Sequence, residues 1–286
     1  MIFIELQLIF YNVNIKSRYI FVVLGWLYMI SNRLIVFWED ILVCAIFLTR
    51  IPVSKFNIER DVSQLTKAQW GFPLVGALLG LVIVLVANIF LFFGFSELIS
   101  SIAGIIAGLL LVKTFYEEGF VNWLDSYKEN REYEQSFEGM KVNSLGIYGT
   151  FGLFTATLLK ILLISDLLGS PNSFFLIMGA FALGRSSFVI LRKISSLDGI
   201  DTPTPAVQKA SAIQTFFALF FGVIWLVPVG LSITILTIFI LFLLIISVNA
   251  IATRKVGVVS NNFLGASVQL VEIMLLSMMN VLFVNS

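Results

Sequence analysis

Glu118, Asn122 and Asp125 stand at i, i+4 and i+7 within the stretch Lys113–Tyr148, a long polar interval in an otherwise apolar chain. On a helix this spacing places three oxygen-bearing side chains on one face. Oxygen ligands at the end of an apolar helix suit a hard cation such as Mg²⁺. Ordinary interfacial carboxylates would show the same spacing, so both readings stand. Seven of the chain's 17 acids fall in this stretch: Glu117, Glu118, Asp125, Glu129, Glu132, Glu134 and Glu138. Glu129, Glu132 and Glu134 interleave with Lys128 and Arg131, and read as a solvated face.

Further polar residues lie inside apolar runs. Arg185, in ALGRSS, is a candidate for a phosphate, because a guanidinium binds oxygens in a bidentate fashion. Its alternative is a structural pair with a loop acid. Lys160 is expected to snorkel toward the interface. Glu272, inside the last apolar run, is a functional or pairing carboxylate. Asn261 and Asn262 open that run and are candidate helix caps.

These residues must be positioned by membrane helices. The chain has 286 residues, 59% of them apolar and 12% charged, with a mean hydropathy of +1.00. Soluble domains carry about 25% charged residues. The apolar segments are continuous rather than alternating, which excludes a β-barrel reading. The expected fold is all-α: a polytopic membrane helix bundle of about seven to eight spans with a cytoplasmic acidic loop. The absence of histidine excludes histidine-based acid–base chemistry and histidine-ligated metals. The lone Cys44 forms no internal disulfide and reads as packing. A net charge of +1 does not point to nucleic acid.

Residues 1–33 read as an N-terminal extension, with Met29 as an alternative start. The remainder, residues 34–286, reads as one membrane domain. Leu34–Thr49 is the first helix candidate, and it carries Glu39 and Asp40. Longer apolar runs follow at Phe72–Phe93, Leu98–Val112, Leu145–Ile164, Phe174–Leu191, Ala212–Val227, Leu231–Asn249 and Phe263–Val284, each bounded by Gly, Pro, Asn or charge. Gly104 and Gly108 form a G-x-x-x-G that predicts close helix packing. Thirteen of the 18 basic residues fall in every second loop, the acidic one among them. The positive-inside rule places those loops in the cytoplasm.

Five segments in order, with two basic positions between them, resemble the cobalamin synthase family, also called adenosylcobinamide-GDP ribazoletransferase. LTRIPV (Leu48–Val53) resembles F-x-T-R-x-P, and GFPLVGALLG (Gly71–Gly80) matches F-P-L-x-G-x-x-x-G. YEEGFVNWLDS (Tyr116–Ser126) resembles H-x-D-G-L-A-D-x-x-D-G. EGMKVNSLGIYG (Glu138–Gly149) resembles E-x-M-[KR]-D-S-R-x-G-x-x-G. NNFLGASVQLVE (Asn261–Glu272) resembles G-D-T-L-G-A-x-x-E-L-x-E. Lys160 and Arg185 fall where the family has membrane-embedded basic residues. The chain departs from these motifs at Tyr116, Asn122, Val142, Ser144 and Asn262, where the family has His, Asp, Asp, Arg and Asp.

The resemblance implies transfer of α-ribazole, or its 5′-phosphate, onto adenosylcobinamide-GDP with release of GMP. It implies a multi-pass protein of a bacterial or archaeal plasma membrane with its active face in the cytoplasm. It also implies Mg²⁺ on Glu118, Asn122 and Asp125, and catalytic roles for Glu118, Asp125 and Lys141. Arg50, Arg185, Asn143, Asn262, Gly146 and Gly265 fall at substrate-binding positions. Three further readings remain beside it: a membrane transferase acting on another nucleotide-activated substrate, a decayed homologue, and a transporter. The sequence leaves the oligomeric state open, a homo-oligomer included.

Overall fold

A computed structural model describes residues 35–51, 62–129, 146–195, 209–256 and 261–284. Lys141, Asn143 and the extension up to residue 33 lie outside the described residues. The chain divides into two units, Met1–Asp40 and Ile41–Ser286. In the first, residues 35–40 are helical.

The second unit is helical throughout its described residues, apart from one isolated bridge between Thr49 and Val112. Its elements are α1 (41–48), α2 (Val62–Ala68, with a 3₁₀ turn Gln69–Gly71), α3 (Phe72–Phe92) and α4 (Glu97–Leu111). They continue with α5 (Phe115–Glu129), α6 (Ile147–Leu168), α7 (Ser173–Ile194), α8 (Ala212–Val223), α9 (Leu231–Val256) and α10 (Asn261–Phe283).

Local signals set many of the ends. Pro73 opens the first turn of α3, where its missing N–H costs nothing. Gly94, at φ +86°, makes the tight turn into α4. The Ser96 hydroxyl then caps α4 by accepting from the Ile99 N–H. Ser211 and Gln214 form a reciprocal capping box at the start of α8.

Small residues set how closely the helices pack. A Cβ at Gly80 would lie 2.8 Å from the Met178 Cα, and one at Gly76 would collide with the Phe181 carbonyl. The FPLVGALLG pattern is therefore the seam between α3 and α7. A Cβ at Gly104 would lie 2.5 Å from the Ile83 carbonyl, so the G-x-x-x-G packs α4 onto α3 as expected. Helix α7 is the hub, with 89% of its apolar window buried, whereas α9 has 28% and lies at the periphery.

Among the described residues five helices are long and apolar enough to cross a membrane: Leu65–Phe92, Ile147–Leu168, Ser173–Ile194, Leu231–Ile251 and Asn262–Phe283. The protein is thus a multi-pass membrane protein. The expected count of seven to eight spans is not confirmed by these helices, and two of the expected runs form shorter helices. Leu98–Val112 becomes the 15-residue α4 and ends at Val112 in extended backbone. There the Lys113 N–H bonds the Leu48 carbonyl and the Arg50 N–H bonds the Leu111 carbonyl. Ala212–Val227 becomes the 12-residue α8 followed by a 3₁₀ turn at Ile224–Leu226. At 1.5 Å per residue neither helix reaches across a hydrocarbon core of about 30 Å.

Candidate functional site

Helix α5 carries the acidic face. Thr114 starts it: its carbonyl accepts the Glu118 N–H at 2.8 Å, and its hydroxyl donates to Glu118 Oε1 at 2.5 Å. Glu117 and Glu118 occupy the first turn, where carboxylates complement the helix dipole. Tyr116, Gly119, Phe120 and Val121 are buried, while Glu118 and Asn122 are exposed and Asp125 is half-buried. The i, i+4, i+7 spacing has therefore put Glu118 and Asn122 on the exposed side of α5, with Asp125 turned partly toward a neighbouring helix.

Asp125 has a task the spacing did not reveal. Its Oδ2 accepts the Gly146 N–H at 3.0 Å, and its Oδ1 accepts the Gly149 N–H at 2.8 Å. Gly146 is the N-cap residue of α6 and, as a glycine, has no side chain to cap it. Asp125 thus caps α6 from another helix, satisfying N–H groups that would otherwise lack partners. A Cβ on either glycine would run into the Asp125 carboxylate. Gly146, expected at a substrate-binding position, is here a capping position.

Gly265 and Asn262 also meet α5. A Cβ at Gly119 would lie 3.0 Å from the Asn262 carbonyl oxygen and 3.2 Å from the Gly265 Cα. The Gly119–Gly265 crossing brings the start of α10 against the acidic helix. Asn262 lies in the first helical turn, after Asn261. Arg50 is exposed just after α1.

Mg²⁺ can be tested against this donor set. Among the described residues no three His, Cys, Asp or Glu side chains cluster to hold a metal. Glu118 and Asn122 are open, and the two bonds to Asp125 leave part of its lone-pair capacity. Such a set fits an ion that keeps several waters and takes its remaining ligands from substrate phosphates.

A second polar assembly is sealed inside the bundle. Both oxygens of Glu272 are engaged: Lys160 Nζ bonds Oε2 at 2.5 Å, and an Arg185 guanidinium nitrogen bonds Oε1 at 2.7 Å. Lys160 also donates to Gln269 Oε1 at 2.6 Å, and Gln269 Nε2 donates to Glu117 Oε1 at 3.1 Å. The Arg185 guanidinium also bonds the Phe181 carbonyl at 3.1 Å and stands over the Tyr116 ring at 5.4 Å. Gly184 makes room, since a Cβ there would strike the Glu272 side chain. Burial raises the pKa of Glu117, with Lys160 partly offsetting it. Burial raises Tyr116 as well, with Arg185 opposing.

Two expectations change. Lys160 does not snorkel: it is 6% exposed and points inward, because a carboxylate and an amide oxygen lie within reach. Arg185 is 2% exposed, and its carboxylate partner is Glu272 of α10 rather than a loop acid. Reading the sequence missed Glu117 and Gln269. A signal existed for the second: Gln269 stands where the motif G-D-T-L-G-A-x-x-E-L-x-E carries its first glutamate.

Comparison with known proteins agrees with the resemblance. The family model for cobalamin-5-phosphate synthase matches residues 40–280. A Shewanella amazonensis protein named adenosylcobinamide-GDP ribazoletransferase is 30% identical over 244 residues, covering 82% of this chain and 92% of its own. Proteins with the same name from Shewanella piezotolerans and Mesorhizobium japonicum are 31% and 24% identical, covering 79% and 83% of this chain and 89% and 91% of their own. No solved structure matches. With the match running from residue 40, just before α1, to residue 280 in α10, the chain belongs to the cobalamin-5-phosphate synthase family.

Proposed function

We propose that the chain transfers α-ribazole, or its 5′-phosphate, onto adenosylcobinamide-GDP, releasing GMP and forming adenosylcobalamin or its 5′-phosphate, the last assembly stage of cobalamin. The observation that carries this reading is the family match over residues 40–280, with the acidic helix inside it. Relatives spanning most of the chain bear the name of that activity.

In this reaction a ribazole hydroxyl oxygen bonds to the corrinoid-side phosphorus. The bond from that phosphorus to the bridging oxygen breaks, and that oxygen leaves with GMP. The hydroxyl proton needs an acceptor. Glu118 is exposed, whereas both Asp125 oxygens already accept backbone N–H groups, which supports Glu118 in that role. Mg²⁺ on Glu118, Asn122 and Asp125 would neutralise charge on the diphosphate. By resemblance Lys141 and Arg50 would supply positive charge, and Asn143, Asn262, Gly146 and Gly265 would fall at substrate-binding positions. Arg185 falls at a substrate-binding position by resemblance, but its burial and its pairing with Glu272 support a role in holding the bundle. The Lys/Arg bias of alternate loops supports a cytoplasmic active face in a plasma membrane, where nucleotide substrates and Mg²⁺ are found.

The neutral residues Asn122 and Asn262, together with Val142 and Ser144, favour a second reading. On it the chain is an inactive homologue or a membrane transferase with another nucleotide-activated substrate. Membranes containing the protein, supplied with adenosylcobinamide-GDP, α-ribazole and Mg²⁺, separate the two. The first reading expects GMP release matched by corrinoid product. Release no greater than from empty membranes removes it.

A further inference from the structure

Gln269 stands between the two polar regions. Its oxygen accepts from Lys160 and its nitrogen donates to Glu117. Partner chemistry fixes the amide this way round, because an ammonium only donates and so must face the oxygen. Beyond Lys160 the connection continues through Glu272 to Arg185, so it ties α6, α7 and α10 together. Glu117 extends it to α5. Consecutive residues on a helix point about 100° apart. Holding Glu117 inward therefore sets the rotation at which its neighbour Glu118, with Asn122, faces outward. The Gly119–Gly265 crossing and the buried Tyr116, Phe120 and Val121 seat α5 on the bundle, Asp125 ties its far end to α6, and the Glu117–Gln269 bond is the polar link from its first turn to α10.

We propose that Gln269 is a positioning residue: it fastens Glu117 to the buried ion cluster and so sets the rotation of the acidic helix. Its consequence for turnover rests on the transferase reading. Its consequence for the dynamics of α5 does not.

The test is hydrogen exchange on the full chain in detergent, with GMP release assayed in parallel. Met at position 269 fills a similar volume with no donor or acceptor. Gln269→Met is expected to speed amide exchange across Phe115–Glu129 by about tenfold while leaving Ser173–Ile194 unchanged. It should lower kcat while KM for adenosylcobinamide-GDP stays within about twofold. Glu117→Met should reproduce the exchange pattern. The double variant should be no worse than the worse single one, since both cut one link. Glu117→Gln keeps an oxygen acceptor and should exchange like wild type, which a space-filling role for Glu117 would not separate from Glu117→Met. Where Gln269→Met yields no folded protein, Gln269→Asn, too short to span both partners, serves in its place. Wild-type exchange of α5 in the position-269 variant, or additive effects of the two Met substitutions, overturns the proposal. A wild-type chain that releases no GMP defeats the transferase reading instead, and the exchange comparison still decides the link.

Discussion

Glu117 and Glu118 are neighbours in sequence but belong to different media. Glu118 lies on the exposed side of α5 with Asn122, and its carboxylate accepts from the Thr114 hydroxyl. Glu117 turns inward to an assembly in which Glu272 is held by two cations from two helices. The exposed group keeps lone pairs for a cation or a substrate. The inward group is committed to structure through its Oε1, which accepts from Gln269, and burial raises its pKa. Similar chemistry thus serves different ends, and burial decides which.

The sharpest way to break this contrast is to strand the buried cations. Glu272→Leu leaves Lys160 and Arg185 without their carboxylate, and removing one partner of a buried pair costs about 3–5 kcal/mol. We expect a large drop in thermal midpoint in detergent. A midpoint close to wild type would show that the cluster does not hold the bundle.

Asp125 belongs partly to both regions, so its substitution should be intermediate. Asp125→Asn retains one oxygen acceptor for two N–H groups, and loss of a capping partner costs about 1 kcal/mol. Turnover should fall about tenfold or more, because a charged ligand and base candidate is lost. Turnover like wild type, with only the midpoint lowered, would assign Asp125 to capping alone.

The smallest structural effect is expected on the exposed face. Asn122→Asp adds a carboxylate one turn from Glu118, and exposed substitutions usually move stability by no more than about 0.5 kcal/mol. Ligand charge governs affinity for hard cations, so half-maximal turnover should need less Mg²⁺. An unchanged or greater requirement would show that position 122 does not contact the ion.

What the sequence made legible follows the range of each interaction. The helical class and the shared face of Glu118, Asn122 and Asp125 are local properties, and composition and an i, i+4, i+7 spacing suffice for them. The capping of α6 was not legible, because it joins Asp125 to N–H groups 21 and 24 positions away. Nor was the partner of Lys160, which lies 112 positions along the chain. The lengths of two apolar helices were not legible for a different reason. Apolar continuity says where a helix can lie in lipid, but α4 and α8 stop early. A backbone exchange with α1 ends the first, and a 3₁₀ turn ends the second. The glycines of FPLVGALLG, read as a motif, prove to be the contact surface that lets α3 approach α7.

The account divides outward carboxylates that meet substrate from inward ones that hold the fold, and Glu118→Gln tests that division most directly. GMP release from adenosylcobinamide-GDP should fall about tenfold or more while the thermal midpoint stays at its wild-type value. Undiminished GMP release by this variant would contradict the account.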